Sequence, residues 1–222
     1  MLIPLKDDNP TRRTPVVLYT LVGINVLVYL FELLIQVSGD YRFYNYIISH
    51  YALIPANIFQ GTVSSSVVPF FSSIFMHGGL LHLGGNMLFL WVFGDNIESE
   101  LGHGKFLAFY LLCGVGASLT QIAIDWHSTA PIIGASGAIS GVLGAYYLRF
   151  PRAQVLAIFI FFLIWIPAKF ILGFWFALQI FSGLTSVGVG GGGVAWFAHI
   201  GGFILGIVLF NLMYHYRPRV YG

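Results

Sequence analysis

The chain has 222 residues, of which 58% are hydrophobic and 8% charged, with a formal net charge of +2. An ordinary soluble domain carries roughly 25% charged residues, so this sequence cannot coat a soluble surface, and with no Lys/Arg cluster it excludes nucleic acid as a partner. Its single cysteine, Cys113, lies in an apolar stretch, which excludes a disulfide framework and reads as a buried thiol.

Residues 1–15, MLIPLKDDNPTRRTP, mix acids, bases and prolines and read as a cytoplasmic segment. The apolar run 16–37 has no small-residue cleavage site after it and predicts a first membrane span, not a signal peptide. Residues 38–76 form a long mixed connection, whose YNYIISHYALIP stretch predicts short interfacial helices. Runs 79–94, 106–126 and 134–150 predict spans two to four. The stretch 153–184 is too long for one span and is interrupted by Pro167 and Lys169. Proline removes an interior helical hydrogen bond, and a mid-bilayer lysine costs at least ~2.5 kcal/mol. Lys169 is therefore expected at an interface, with 170–184 as the fifth span and 153–166 as an apolar segment at or dipping into the cytoplasmic face. Residues 194–214 predict the last span, and 215–222 a cytoplasmic tail. The expectation is an all-α membrane protein, a six-transmembrane-helix domain over 16–214 with a long outer first loop, in contact with the lipid bilayer.

Basic residues set the orientation. With both termini inside, Lys6, Arg12, Arg13, Lys105, Arg149, Arg152, Lys169, Arg217 and Arg219 all face the cytoplasm, and only Arg42 lies outside.

Spans two, four and six then run in the same direction, and each has polar residues near its outer start. Span two opens with HGGLLHLGGNMLF, which carries His77, His82 and Asn86. Span four opens with GASG, around Ser136, and span six with AWFAHIGG, around His199. Polar groups inside a span are costly and usually face a bundle interior. Gly137 and Gly141, followed by Gly144, and Gly202 and Gly206 form small-xxx-small seams that let helix backbones approach closely. Two parallel helices joined along these seams would hold Ser136 and His199 at a similar height, within hydrogen-bond reach.

Serine becomes a nucleophile when a base takes its proton, and a neutral histidine does so near pH 7. The developing oxyanion needs donors. The Ser136 N–H at a helix start, the His82 ring and the Asn86 amide are candidates, since His82 and Asn86 share a helix face. Asp40 and Asp125 fall at the outer interface and Asp95 at the inner end of span two. None is placed to orient His199, so the reading is a Ser–His dyad. His77 and His82 would point about 140° apart if both were helical, and there is no third ligand at metal-binding spacing, so the reading includes no metal and no cofactor. As alternatives to function, Ser136 can be packing filler and the histidines satisfied interior groups.

These residues resemble the rhomboid family of intramembrane serine proteases. The resemblance rests on His77-x4-His82-x3-Asn86, Gly134-x-Ser136-Gly137 and Ala198-His199-x2-Gly202, and covers residues 16 to about 214 in the six-span bacterial form. It implies Ser136 as nucleophile, His199 as base, and His82 and Asn86 as oxyanion-hole donors. It also implies a structural role for His77, which would tie the long loop to the bundle. Gly134, Gly137, Gly141, Gly202 and Gly206 would be packing positions. Some family members carry a tyrosine four residues after the nucleophile, stacked on the histidine; here that position is Ser140, so packing on span six would orient His199.

The implied activity is hydrolysis of peptide bonds in or near the transmembrane helices of membrane-protein substrates, in a prokaryotic plasma membrane with the site open to the outer side. A short fourth span would leave Ser136 below the surface. The glycine run 188–194 reads equally as a cap over the site or a plain connector. Phe170, Phe174, Trp175, Phe176 and Phe181 read as a lateral wall or as lipid-facing aromatics. The competing functions are a non-catalytic client-binding relative and a His-lined transporter, which chelator sensitivity would favour. The residues leave the oligomeric state open.

Overall fold

Helices form along the apolar runs, and α1 and α4 end where a glycine, Gly39 and Gly102, interrupts the run. In order they are α1 (Val16–Ser38), α2 (Tyr41–Tyr51), α3 (Val63–Ser72), α4 (Leu80–Leu101), α5 (His103–Ile124), α6 (Ser136–Arg149), α7 (Ala168–Ser186) and α8 (Trp196–Met213). The computed structural model describes residues 2–58, 63–187 and 193–214. The expected cap, the glycine run, therefore falls largely outside the described residues, as does the expected tail with Arg217 and Arg219.

Helix α1 stops at Gly39, which takes the left-handed conformation (φ 75°) that glycine tolerates best. Its first turn is capped from a distance. The buried Glu98 carboxylate on α4 accepts the Val17 N–H on Oε1 at 2.9 Å and the Leu18 N–H on Oε2 at 2.7 Å, and His103 Nδ1 lies 2.5 Å from Oε1 as well. A carboxylate there satisfies free donors and meets the positive end of the helix dipole.

By length and composition α1, α5, α7 and α8 can each cross a membrane, and α4 can do so together with Ser66–Phe75, across an 83° bend. The membrane-spanning part of the chain is an all-α bundle. Helix α6 is its sixth member and has only 14 residues, about 21 Å against the ~30 Å of a hydrocarbon core. It is the most deeply packed helix, with residues 138–146 all buried.

One element departs from the expectation. Residues 153–166, expected as an apolar segment at the cytoplasmic face of an all-α protein, fall mostly in a hairpin, β2 (Gln154–Phe159) and β3 (Phe162–Pro167). The start of the chain, β1 (Leu2–Asp7), adds to it antiparallel in the order β1-β2-β3. Val155 and Ala157 are fully buried in the main core. The sheet lies at the end of the bundle where α4 meets α5 and α6 meets α7. Asp7 accepts a hydrogen bond from the Tyr146 hydroxyl at the end of α6. The described N-terminal residues, from Leu2 on, are thus tied to the helical domain through β1.

The other end of the bundle carries the long first loop. Leu53 and Ile132 exchange backbone hydrogen bonds at 3.3 and 2.7 Å, and Ala56 N donates to Ser128 O at 3.0 Å. Gly134 N donates to Ser73 O at 2.9 Å. The loop therefore holds the turn that leads into α6.

Candidate active site

Three helices that start at the loop end, α4, α6 and α8, carry the polar residues singled out above. Their approach depends on the absence of side chains. A Cβ at Gly202 would lie 2.2 Å from the Gly137 carbonyl oxygen, and one at Gly206 2.1 Å from that of Gly141. A Cβ at Gly141 would meet Cys113 on α5 at 2.4 Å, and one at Gly137 would meet Ala117 at 2.7 Å. These four glycines sit where helix backbones touch. Gly134 does not belong with them. It precedes α6, has φ +115°, and its missing Cβ would stand 2.8 Å from the His82 ring. Its place is a turn pressed against His82, not a helix seam.

The seams set the depth of Ser136. Its neighbour Gly137 faces Ala117, seven residues before α5 ends at Ile124, and Gly202, six residues into α8. Both rulers put Gly137 about 9–10.5 Å, and the α6 start one residue above it about 7.5–9 Å, below the helix ends around it. A cavity of about 720 Å³ occupies that recess and is lined by His82, Asn86, Ser136, Trp175 and His199, among others.

Within the cavity Ser136 Oγ lies 2.8 Å from His199 Nε2. His199 is buried (9% exposed), and Ser136 is half-buried at the first turn of α6. The other ring nitrogen, His199 Nδ1, lies 2.8 Å from Gln179 Oε1 on α7. The imidazole stands between two indoles, Trp175 at 5.9 Å and Trp196 at 6.2 Å between ring centres. Packing on α8 alone, the expected arrangement, is therefore not what holds it. Ser140 Oγ donates to the Ser136 carbonyl at 2.6 Å.

On α4, His82 is exposed to the cavity, whereas Asn86 is buried. Asn86 Nδ2 donates to His77 Nε2 at 2.9 Å, which leaves its second N–H for the cavity side. His77 is 1% exposed, its Nδ1 donates to Phe75 O at 3.3 Å, and its backbone N–H donates to Glu32 Oε2 at 3.1 Å. His77 precedes α4, so the helical argument that separates it from His82 does not apply. Their rings lie 5.1 Å apart, edge to face.

Residues 64–216 match the rhomboid domain. The chain belongs to the rhomboid family. It is 31% identical over 199 residues to the mitochondrial rhomboid protein 1 of Saccharomyces cerevisiae, covering 86% of this chain and 51% of that one. It is 42% identical over 74 residues to RHOMBOID-like protein 5 of Arabidopsis thaliana, covering 33% of this chain and 24% of that one. The rhomboid protease GluP of Bacillus subtilis is 31% identical over 131 residues, covering 59% and 24%. The rhomboid chain thus spans about half the length of the yeast relative and about a quarter of the other two.

Two residues of this rhomboid site escaped the sequence reading. Glu32 is a buried carboxyl inside the first apolar run, and an ionisable group at such a position is itself a signal. Gln179 gives a weaker one, a single amide in an aromatic helix. Of the five aromatics on α7, Phe170, Phe174 and Phe181 are exposed, whereas Trp175 and Phe176 pack inward on Phe203. The exposed three fit the lipid-facing reading, and the five aromatics divide between two faces of α7.

Proposed function

We propose that this protein is an intramembrane serine endopeptidase that hydrolyses peptide bonds in or near the transmembrane helices of membrane-protein substrates. The observation that carries the reading is the 2.8 Å separation of Ser136 Oγ and His199 Nε2 inside a recessed cavity. Family membership and the protease among the relatives support it.

In the proposed reaction, His199 Nε2 takes the Ser136 proton as Oγ attacks the substrate carbonyl carbon. Negative charge collects on the carbonyl oxygen, where His82, the free N–H of Asn86 and the N-terminal backbone of α6 donate to it. The intermediate collapses as His199 passes its proton to the leaving amine, leaving an acyl ester on Ser136. Water then attacks the ester with His199 again as base, and the acid product leaves. No cofactor or metal is required. A peptide bond in a helix is shielded, so glycine or other helix-weakening residues near the cut would favour cleavage.

We assign the end that carries Lys6, Arg12, Arg13, Lys105, Arg149, Arg152 and Lys169 to the cytoplasmic side of a prokaryotic plasma membrane. The cavity then opens outward and both termini lie inside. The test is cleavage of a reporter transmembrane helix by purified protein in lipid nanodiscs. Wild-type protein cleaves it, EDTA has no effect, and Ser136→Ala and His199→Ala do not cleave. Cleavage lost to EDTA and kept in Ser136→Ala would favour a metal-dependent function. Wild-type protein that binds the reporter without cutting it would favour a client-binding role.

A further inference from the structure

We infer that Gln179 is a positioning residue that fixes the tautomer of His199. This rests on the dyad reading above. A histidine can take a proton from Ser136 only if Nε2 carries a lone pair, and a neutral imidazole has one proton to place on either nitrogen. The tautomer is set by whatever faces Nδ1. Here that group is Gln179 Oε1, 2.8 Å away.

The amide cannot serve equally well the other way round. Gln179 Nε2 lies 3.2 Å from the Trp175 carbonyl oxygen, one turn back on α7. That oxygen only accepts, so the NH₂ group must face it and the carbonyl must face His199. A flipped amide would set two acceptors against each other at Trp175 and would offer His199 Nδ1 an N–H, which selects the tautomer with its proton on Nε2. The backbone of α7 therefore orients the amide, and the amide orients the ring. Gln179 is 5% exposed, so water does not compete for either group.

A neutral acceptor suits this place. A carboxylate at the same position would sit between aromatic helices, where burying a charge is costly. The amide oxygen accepts from Nδ1–H both in the neutral ring and in the imidazolium formed during the reaction, so it need not move between steps. It also brings α7 into the site. The bond spans the contact between α7 and α8, and no residue of the motifs on α4, α6 or α8 supplies it.

The test uses the full chain in nanodiscs with Gln179→Met, which keeps the shape and removes the acceptor, and Gln179→Glu, which restores an oxygen. Gln179→Met is expected to lower kcat about 10–100-fold with KM within about twofold. Gln179→Glu is expected to recover most of that loss, because a neutral carboxyl still presents a carbonyl oxygen to Nδ1–H. The ¹⁵N spectrum of His199 is read in a Ser136→Ala background, assigned by difference against His199→Ala. It should show the Nδ1–H form with Gln179 and lose it with Met. Wild-type kcat in Gln179→Met, or an unchanged tautomer, would overturn the assignment. Equal losses in Met and Glu would do the same, since they would point to packing. The tautomer needs no turnover, so failure of the protease reading would show separately as wild-type protein that cleaves nothing.

Discussion

Gly206 of α8 stands directly over Gly141 of α6: a Cβ on Gly206 would lie 2.1 Å from the Gly141 carbonyl oxygen and 2.5 Å from its Cα. Both obstacles are backbone, so neither can rotate away. Gly206→Ala is expected to destabilise the protein by about 1–3 kcal/mol and to push Ser136 and His199 apart. Gly84 on α4 has nothing within 4 Å of its would-be Cβ. Gly84→Ala should be neutral or stabilising by about 0.5–1 kcal/mol, from the ordinary helix preference. Thermal unfolding in detergent checks the pair, and equal effects would remove the close-approach argument.

Glu98 joins α1 to α4 through two helix-end donors, the buried Leu18 N–H and the partly buried Val17 N–H. Glu98→Ala leaves both without an acceptor and should cost about 2–4 kcal/mol. Glu98→Gln keeps one acceptor oxygen and should fall between Ala and wild type. Unfolding midpoints of the three proteins give the order, and an alanine variant as stable as wild type would show that α1 needs no cap.

Asp7 gives the sheet end a pH response. Burial pushes its carboxyl above the ordinary 3.8, the Tyr146 hydroxyl works more weakly the other way, and the Asp8 charge adds to the rise. A raised folded-state value means that the folded chain holds the proton more tightly than the unfolded one. Stability is therefore greatest below the unfolded value and falls as pH rises through the folded value. Asp7→Asn can still accept from Tyr146 but cannot ionise. Its melting midpoint should match wild type near about pH 3.5 and exceed it at about pH 8. A difference that stays constant with pH would contradict this.

The two proposed oxyanion donors should behave differently. His82 faces the cavity, so His82→Ala is expected to lower kcat roughly 10²–10³-fold with little change in melting. Asn86 also donates to the buried His77 ring. Asn86→Ala should therefore lose a similar factor in kcat and melt earlier as well. Steady-state kinetics beside thermal scans separate the two, and a stable Asn86→Ala would detach His77 from Asn86.

Much of this was legible in the sequence for one reason: polar residues are rare in apolar runs. Ser136, His199, His82 and Asn86 stand out against their surroundings, and the glycines that bring α6 and α8 together repeat at helical spacing. The helix starts were also close to those expected, and Pro167 breaks the chain visibly before α7. The sheet was not legible. QVLAIF and FLIWIP are short apolar runs that periodicity cannot separate from helix, and their partner strand lies at the far end of the chain. Gln179 was hidden for a different reason. One amide among aromatics reads as part of a wall, and only the fold brings it 2.8 Å from His199.

The most direct test of the central claim is to map the adduct formed by a fluorophosphonate probe on the protein in nanodiscs. The account predicts a single adduct on Ser136 by mass spectrometry, absent in Ser136→Ala and in His199→Ala. An adduct on another residue, or reporter cleavage that persists in Ser136→Ala without any adduct, would contradict it.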